Sequence, residues 1–178
     1  MALTLYSRLM LTDSALIKVR RAKIADSEEL ARVFVDSWRH AYTGIIPYAT
    51  LERLMRRRDA AWWRGAIRSE SHLLVIEVSG VLAGYATCGA ARQNRMQKGE
   101  IFELYIAPVY QGIGLGEYLF EACRHQLDLR GLNGLVVWAL AENSGAIEFY
   151  RNRGGRPVGK ASERFGRVSL EKVALGWT

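Results

Sequence analysis

Residues 111–116 read Gln-Gly-Ile-Gly-Leu-Gly. They follow a strand-forming stretch that ends at Pro108 and precede apolar residues at helical spacing. Glycine at alternate positions removes side chains where backbone would meet a ligand, and permits dihedrals closed to other residues. The first amides of a helix have no intrahelical acceptor, and the helix dipole adds partial positive charge there. Together these make a site for a phosphate or pyrophosphate. A Rossmann fingerprint spaces its glycines two and then three apart, which fails here at Glu117 or at Leu119. A P-loop needs Lys and then Ser or Thr after the last glycine, whereas Glu117-Tyr118 stands there. Dinucleotide and nucleoside-triphosphate readings both drop out. His40, His72 and His125 are isolated, so no metal site is expected. No GxSxG elbow occurs, and Cys88 and Cys123 lie in no nucleophile signature but in strand and helix patterns, as packing residues.

The elements that must position this loop can be read along the chain. Ile17–Ala22 predicts a strand. Asp26 and Glu29 predict a capping box, and Leu30, Val33, Phe34, Ser37, Trp38 and Ala41 then mark one face of an amphipathic helix. Two short helices follow, Pro47–Arg57 and Asp59–Ser69, the second capped by Asp59. Arg56-Arg57-Arg58 reads as a solvated helix end, and Trp62-Trp63 as one exposed and one buried indole. His72–Val78 and Val81–Ala90 predict a hairpin turning at Ser79-Gly80, and Gly99–Ala107 a third strand of this group. A helix from Leu115 to about Leu129, a strand Leu135–Leu140, a helix from Asn143 to Arg153 and strands 156–161 and 168–175 complete the chain. Antiparallel hairpins with one later strand–helix–strand crossover predict a mixed-sheet α/β (α+β) fold, not a doubly wound one.

A second motif sits on the next strand–helix unit. Gln111-x-x-Gly114-x-Gly116 resembles the (Arg/Gln)-x-x-Gly-x-(Gly/Ala) acetyl-CoA signature of the GNAT N-acetyltransferase superfamily. Asn143-Ser144-Gly145-Ala146-Ile147-Glu148-Phe149-Tyr150 resembles that family's Asn-x-x-Ala-x-x-(Phe/Leu)-Tyr helix. The resemblance runs from about Ile17 to the C-terminus. It implies a GNAT fold: a mostly antiparallel mixed sheet, splayed between its fourth and fifth strands and flanked by helices. It also implies acetyl-CoA as co-substrate, with the backbone of Leu104, Tyr105 and Ile106 pairing with the pantetheine as an added strand. Gln111, Gly112, Ile113, Gly114, Leu115, Gly116 and Glu117 would hold the pyrophosphate, Asn143 would bond the pantetheine arm, and Ala146 belongs to the same cofactor set. The family often has Gly-Phe after the second helix; Gly154-Gly155 stands here, which predicts looser packing.

By the same resemblance, Tyr150 takes the general-acid position beside the sulfur, against the alternative of a core tyrosine. Glu100 stands where several members place the carboxylate that deprotonates the amine, while Glu103 lies nearer the splay. Three residues apart on a regular strand, the two should face opposite sides of the sheet. An amide near Leu104 would polarise the thioester carbonyl. Trp38-Arg39-His40-Ala41-Tyr42-Thr43-Gly44-Ile45-Ile46-Pro47 resembles a segment of many small bacterial members. Trp38 and Tyr42, four apart, would wall the amine pocket or pack in the core.

The 178 residues, 49% hydrophobic and 24% charged, suit one globular domain over 17–178 behind an extension, 1–16. Twenty-five basic against 18 acidic residues leave +7, a charge suited to steering a phosphorylated co-substrate. Basic residues do not alternate with stacking aromatics, so nucleic acid is not an expected partner. No apolar run is long enough to span a membrane. Two cysteines are too few for a disulfide framework, which predicts a cytoplasmic protein. The resulting expectation is direct acetyl transfer from acetyl-CoA to a primary amine of a small molecule, in a ternary complex, with a homodimer compatible. Protein or peptide N-acetylation and a non-catalytic acyl-CoA-binding module are the alternatives.

Overall fold

A computed structural model describes residues 16–69, 72–92 and 96–178. The expected extension therefore lies outside the described residues, save Leu16. Seven strands form one sheet in the order β1-β2-β3-β4-β5-β7-β6: β1 Ile17–Arg21, β2 Leu73–Val78, β3 Val81–Ala90, β4 Gly99–Ile106, β5 Leu135–Leu140, β6 Arg156–Phe165 and β7 Val168–Trp177. Among the described residues five α-helices accompany it: α1 Ser27–Tyr42, α2 Tyr48–Arg57, α3 Ala60–Ser69, α4 Leu115–Asp128 and α5 Ser144–Arg151. All neighbouring strands are antiparallel except β4 and β5. This is the expected mixed sheet.

Apolar periodicity sorts the helices onto the two faces. Leu115, Leu119, Phe120 and Cys123 of α4 pack with Ile76, Cys88 and Ile101 on one face. Leu30 and Phe34 of α1, Leu51 and Met55 of α2 and Trp63 of α3 pack with Val75 and Tyr85 on the other. Local signals hold in most places. Ser79 and Gly80 both take positive φ, 52° and 80°, as the β2–β3 turn requires, and Asp59 accepts from the Trp62 amide at 2.8 Å. Trp63 is buried and Trp62 exposed.

The first helix begins differently from its sequence signal. Asp26 makes no side-chain cap on α1. It closes a 3-10 turn, Ile24–Asp26, by accepting from the Lys23 amide at 2.6 Å. Its carboxylate also receives both Arg20 guanidinium nitrogens, at 2.7 and 2.8 Å. A charged partner on the preceding strand outcompetes the local cap.

The decisive feature is the β4–β5 junction. Only Gly99, Glu100 and Ile101 pair with Leu135, Val136 and Val137. Beyond them the two parallel strands diverge, leaving the β5-facing edge of β4 without a strand partner. A bulge accompanies the divergence: Thr87 opposes Glu103 and Cys88 opposes Ile101, so Phe102 is the extra residue.

Candidate active site

The gap between the diverging strands opens into a cleft of about 680 Å³. Phe102 to Ile106 line it from β4 and Val137 to Ala139 from β5, with Ser37, His40, Ala41, Tyr42 and Ile45 of the α1 region completing the lining on that side. Gln111, Gly112, Gly114, Leu115 and Gly116 line it from the loop, Asn143 to Ala146 from the start of α5, and Tyr150 from further along that helix.

The loop has the conformation its glycines allow. Gly112 and Gly114 take φ of 81° and 87°, with open space where a Cβ would be. Gly114 is the N-cap of α4 and has no side chain to cap it, so the first amides of the helix are left for a ligand. Gly116 serves a different need: a Cβ there would lie 3.0 Å from the Phe149 ring, so its absence lets α4 approach α5. Gln111 turns inward and donates to the Ile106 carbonyl at 2.9 Å, tying the loop to the end of β4. Ile113 points outward, 62% exposed, and does not line the cleft.

Tyr150, on α5, is buried except toward the cleft. Burial pushes its phenol well above the ordinary tyrosine value, so it keeps its proton throughout the neutral range. Asn143 caps α5 by accepting from the Ala146 amide at 3.2 Å, and its side chain also meets the Tyr42 phenol.

The glutamates depart from expectation. Ile101 and Leu104, three apart, both pack on the α4 face, because the Phe102 bulge resets the alternation. Glu100 and Glu103 consequently share the other face instead of opposing each other. Glu103 lines the cleft and Glu100 does not. Glu100 is buried and engaged with Arg92, accepting from its amide at 2.9 Å and its guanidinium at 2.8 Å. The Glu103 carboxylate meets Arg58 and the Tyr85 hydroxyl.

At the α1 end, the Tyr42 and Tyr105 hydroxyls share a hydrogen bond of 2.8 Å. Burial raises both phenols above their usual value. Tyr42 lines the cleft; Trp38 stacks behind it, 5.0 Å from its ring and 4.9 Å from Phe34, and packs rather than lines. His40 and Arg153 are among the cleft residues that carried no sequence signal. His40 follows the motif tryptophan but has no partner spacing of its own. Arg153 lies 3.7 Å above the Phe149 ring and donates to the Phe149 carbonyl. It sits one residue before the expected loose Gly154-Gly155 pair. That pair is tightly packed instead: a Cβ on Gly155 would lie 2.6 Å from the Trp177 indole, whose Nε1 donates to the Arg153 carbonyl at 2.7 Å. Among the described residues no cluster of His, Cys, Asp or Glu could hold a metal, and no helix is long and apolar enough to cross a membrane.

A sheet splayed at its one parallel junction, with a glycine-opened helix at the split, is the arrangement that the two sequence motifs imply. Residues 30–154 match the sequence model of the acetyltransferase (GNAT) family, and the chain belongs to that family as an N-acetyltransferase. An uncharacterized N-acetyltransferase of Bacillus subtilis, YuaI, is 30% identical over 164 residues, covering 91% of this chain and 93% of that protein. A spermidine N(1)-acetyltransferase of Thermoplasma acidophilum is 25% identical over 141 residues, 78% of this chain and 87% of its own. Among solved structures, the PaiA N-acetyltransferase of Thermoplasma acidophilum, in complex with coenzyme A, superposes with a TM-score of 0.71. It is 22% identical, covering 88% of this chain and 97% of that one.

Proposed function

We propose that this chain transfers acetyl from acetyl-CoA to a primary amine of a small molecule, both substrates being held in the cleft at once. The observation that carries the reading is the convergence of four features in that cleft: the unpaired edge of β4, the left-handed glycine loop at the start of α4, the Tyr150 phenol and the Glu103 carboxylate. Leu104 to Ile106 offer backbone groups for a pantetheine amide. The amides from Gly112 to Gly116 offer donors to a pyrophosphate, that of Glu117 being bonded to the Gly114 carbonyl at 3.0 Å, and Asn143 lines the cleft beside Tyr42. Bound acetyl-CoA supplies the activated acetyl thioester.

The chain's own residues supply the proton handling. Tyr150 carries a firmly held proton and is the group to protonate a departing thiolate. Glu103, rather than Glu100, is the carboxylate placed to accept a proton from the amine, directly or through water. Tyr42 and Tyr105 wall the acceptor side. A relative named for spermidine acetylation supports a small-molecule acceptor.

Thermal denaturation with acetyl-CoA, ATP and NAD tests the co-substrate. At 100 times Kd a ligand adds about 2.7 kcal/mol, which is roughly 5–11 °C in Tm for a domain of this size. A selective rise with acetyl-CoA is expected, followed by amine-dependent thiol release with small amines but not with peptides. No shift in a folded protein free of co-purified coenzyme A overturns the reading.

A further inference from the structure

The Arg56-Arg57-Arg58 run is not uniformly a solvated helix end. Helix α2 stops at Arg57, and Arg58 takes φ −104° and ψ 57°. Its guanidinium carbon lies 4.5 Å from the Trp62 ring centre and 4.8 Å from that of Phe34, with Trp38 and Trp63 at 5.8 and 6.0 Å. Aromatic rings on several sides hold a cation by their negative faces and restrict its rotamers. From this cage Arg58 Nη1 reaches both Glu103 oxygens, Oε1 at 2.6 Å and Oε2 at 2.9 Å. Tyr85 donates to the same Oε2 at 2.9 Å.

Each carboxylate oxygen offers about two lone pairs. Oε2 is filled by Arg58 and Tyr85, whereas Oε1 has one partner and keeps one lone pair. Glu103 stands on the cleft wall. We propose that Arg58 is a positioning residue: it balances the Glu103 charge, fixes the carboxylate against the bulge, and leaves Oε1 as the oxygen presented to the acceptor amine or its water. The assignment rests on the N-acetyltransferase reading for the use of Oε1, but the Arg58–Glu103 coupling stands on geometry alone. The groups that face Glu103 are Arg58 from the end of α2, Tyr85 from β3, Tyr42 from α1 and Tyr105 from its own strand.

The test reads Glu103 itself. Full-length protein labelled with ¹³C at the glutamate carboxyls is observed by NMR at neutral pH, and the Glu103 signal is identified by its loss in E103Q. In R58M that signal should move from its wild-type position, since the guanidinium nitrogen that meets both carboxylate oxygens is gone. R58K should restore most of the difference. Should R58M not fold, R58Q removes the charge while keeping a donor and serves the same comparison. An unmoved Glu103 signal in a folded R58M or R58Q overturns the proposal. Rates with whichever small amine the panel yields should show acceptor KM rising in R58M while the acetyl-CoA Tm shift is kept; loss of the acetyl-CoA shift with acceptor KM unchanged would also overturn it. A moved Glu103 signal in a chain whose wild type binds no acetyl-CoA would instead sink the enzymatic reading and leave the coupling intact.

Discussion

At the scale of single residues, the proposed proton work would fall to Tyr150 and Glu103 by their environments. Burial keeps the Tyr150 phenol protonated, while Glu103 is held in the cleft wall by Arg58 and Tyr85. Tyr150→Phe keeps the ring packing against Phe120 and Phe149 and removes only the proton. Its kcat should fall by about 10²–10⁴-fold, with acetyl-CoA affinity retained in a thermal-shift titration. A turnover equal to wild type removes Tyr150 from the reaction. The loop glycines and Tyr150 were legible in the sequence because motif spacing places them. The roles of the glutamates were not, because strand parity assumes regular pairing and the inserted Phe102 breaks it. Arg58 was equally hidden: a basic residue after a helix reads as solvated, and its aromatic cage draws on residues from α1 and α3 that only the tertiary fold assembles.

At the scale of elements, helix starts and ends decide the geometry. Gly114 caps α4 at φ 87° with nothing near a would-be Cβ, so the cost of a side chain there is purely conformational. Gly114→Ala should cost about 1–2 kcal/mol. If the loop relaxes to shed that strain, Kd for acetyl-CoA rises about five- to thirtyfold, measurable by calorimetry; an unchanged Kd and an unchanged Tm would show that the left-handed turn is dispensable. The end of α5 carries the opposite lesson. Glycine pairs suggest slack, yet Gly155 is the floor on which the Trp177 indole rests. Gly155→Ala should lower stability by about 1–3 kcal/mol through overpacking, read from urea unfolding. Trp177→Phe combined with it should recover part of that loss, and strict additivity of the two would argue against their contact. Strand and helix order, by contrast, followed directly from periodicity, since period-2 and period-3.6 patterns survive whatever the tertiary context adds.

At the scale of the whole molecule, the sheet separates two apolar cores that differ in chemistry. The α4 side is almost wholly aliphatic and aromatic, with the two thiols Cys88 and Cys123 inside it. The α1–α3 side carries the phenols of Tyr42, Tyr85 and Tyr105 around a charge pair. Burial raises Tyr42, Tyr85, Tyr105 and Tyr150 above the ordinary 10.0. The folded chain then holds these protons more tightly than the unfolded chain. Their contribution to stability is complete below about pH 10 and is lost as pH rises through the folded-state values. Urea midpoints should therefore decline from pH 10 upward while remaining level between pH 8 and 9.5; a level midpoint to pH 11 would contradict this.

The three-residue pairing of β4 with β5 makes the sheet two half-sheets buttoned at one end. Strands β1 to β4 form one panel and β5, β7 and β6 the other. A molecule whose own amides ran along the free edge of β4 would continue the hydrogen-bond ladder where the protein leaves it unfinished, and so lend the chain a temporary eighth strand. Binding would then be read mechanically as well as chemically. Amide exchange across Leu104–Ile106 should slow in step with exchange on the facing part of β5, and the two panels, free to open separately beforehand, should open together once the seam is filled.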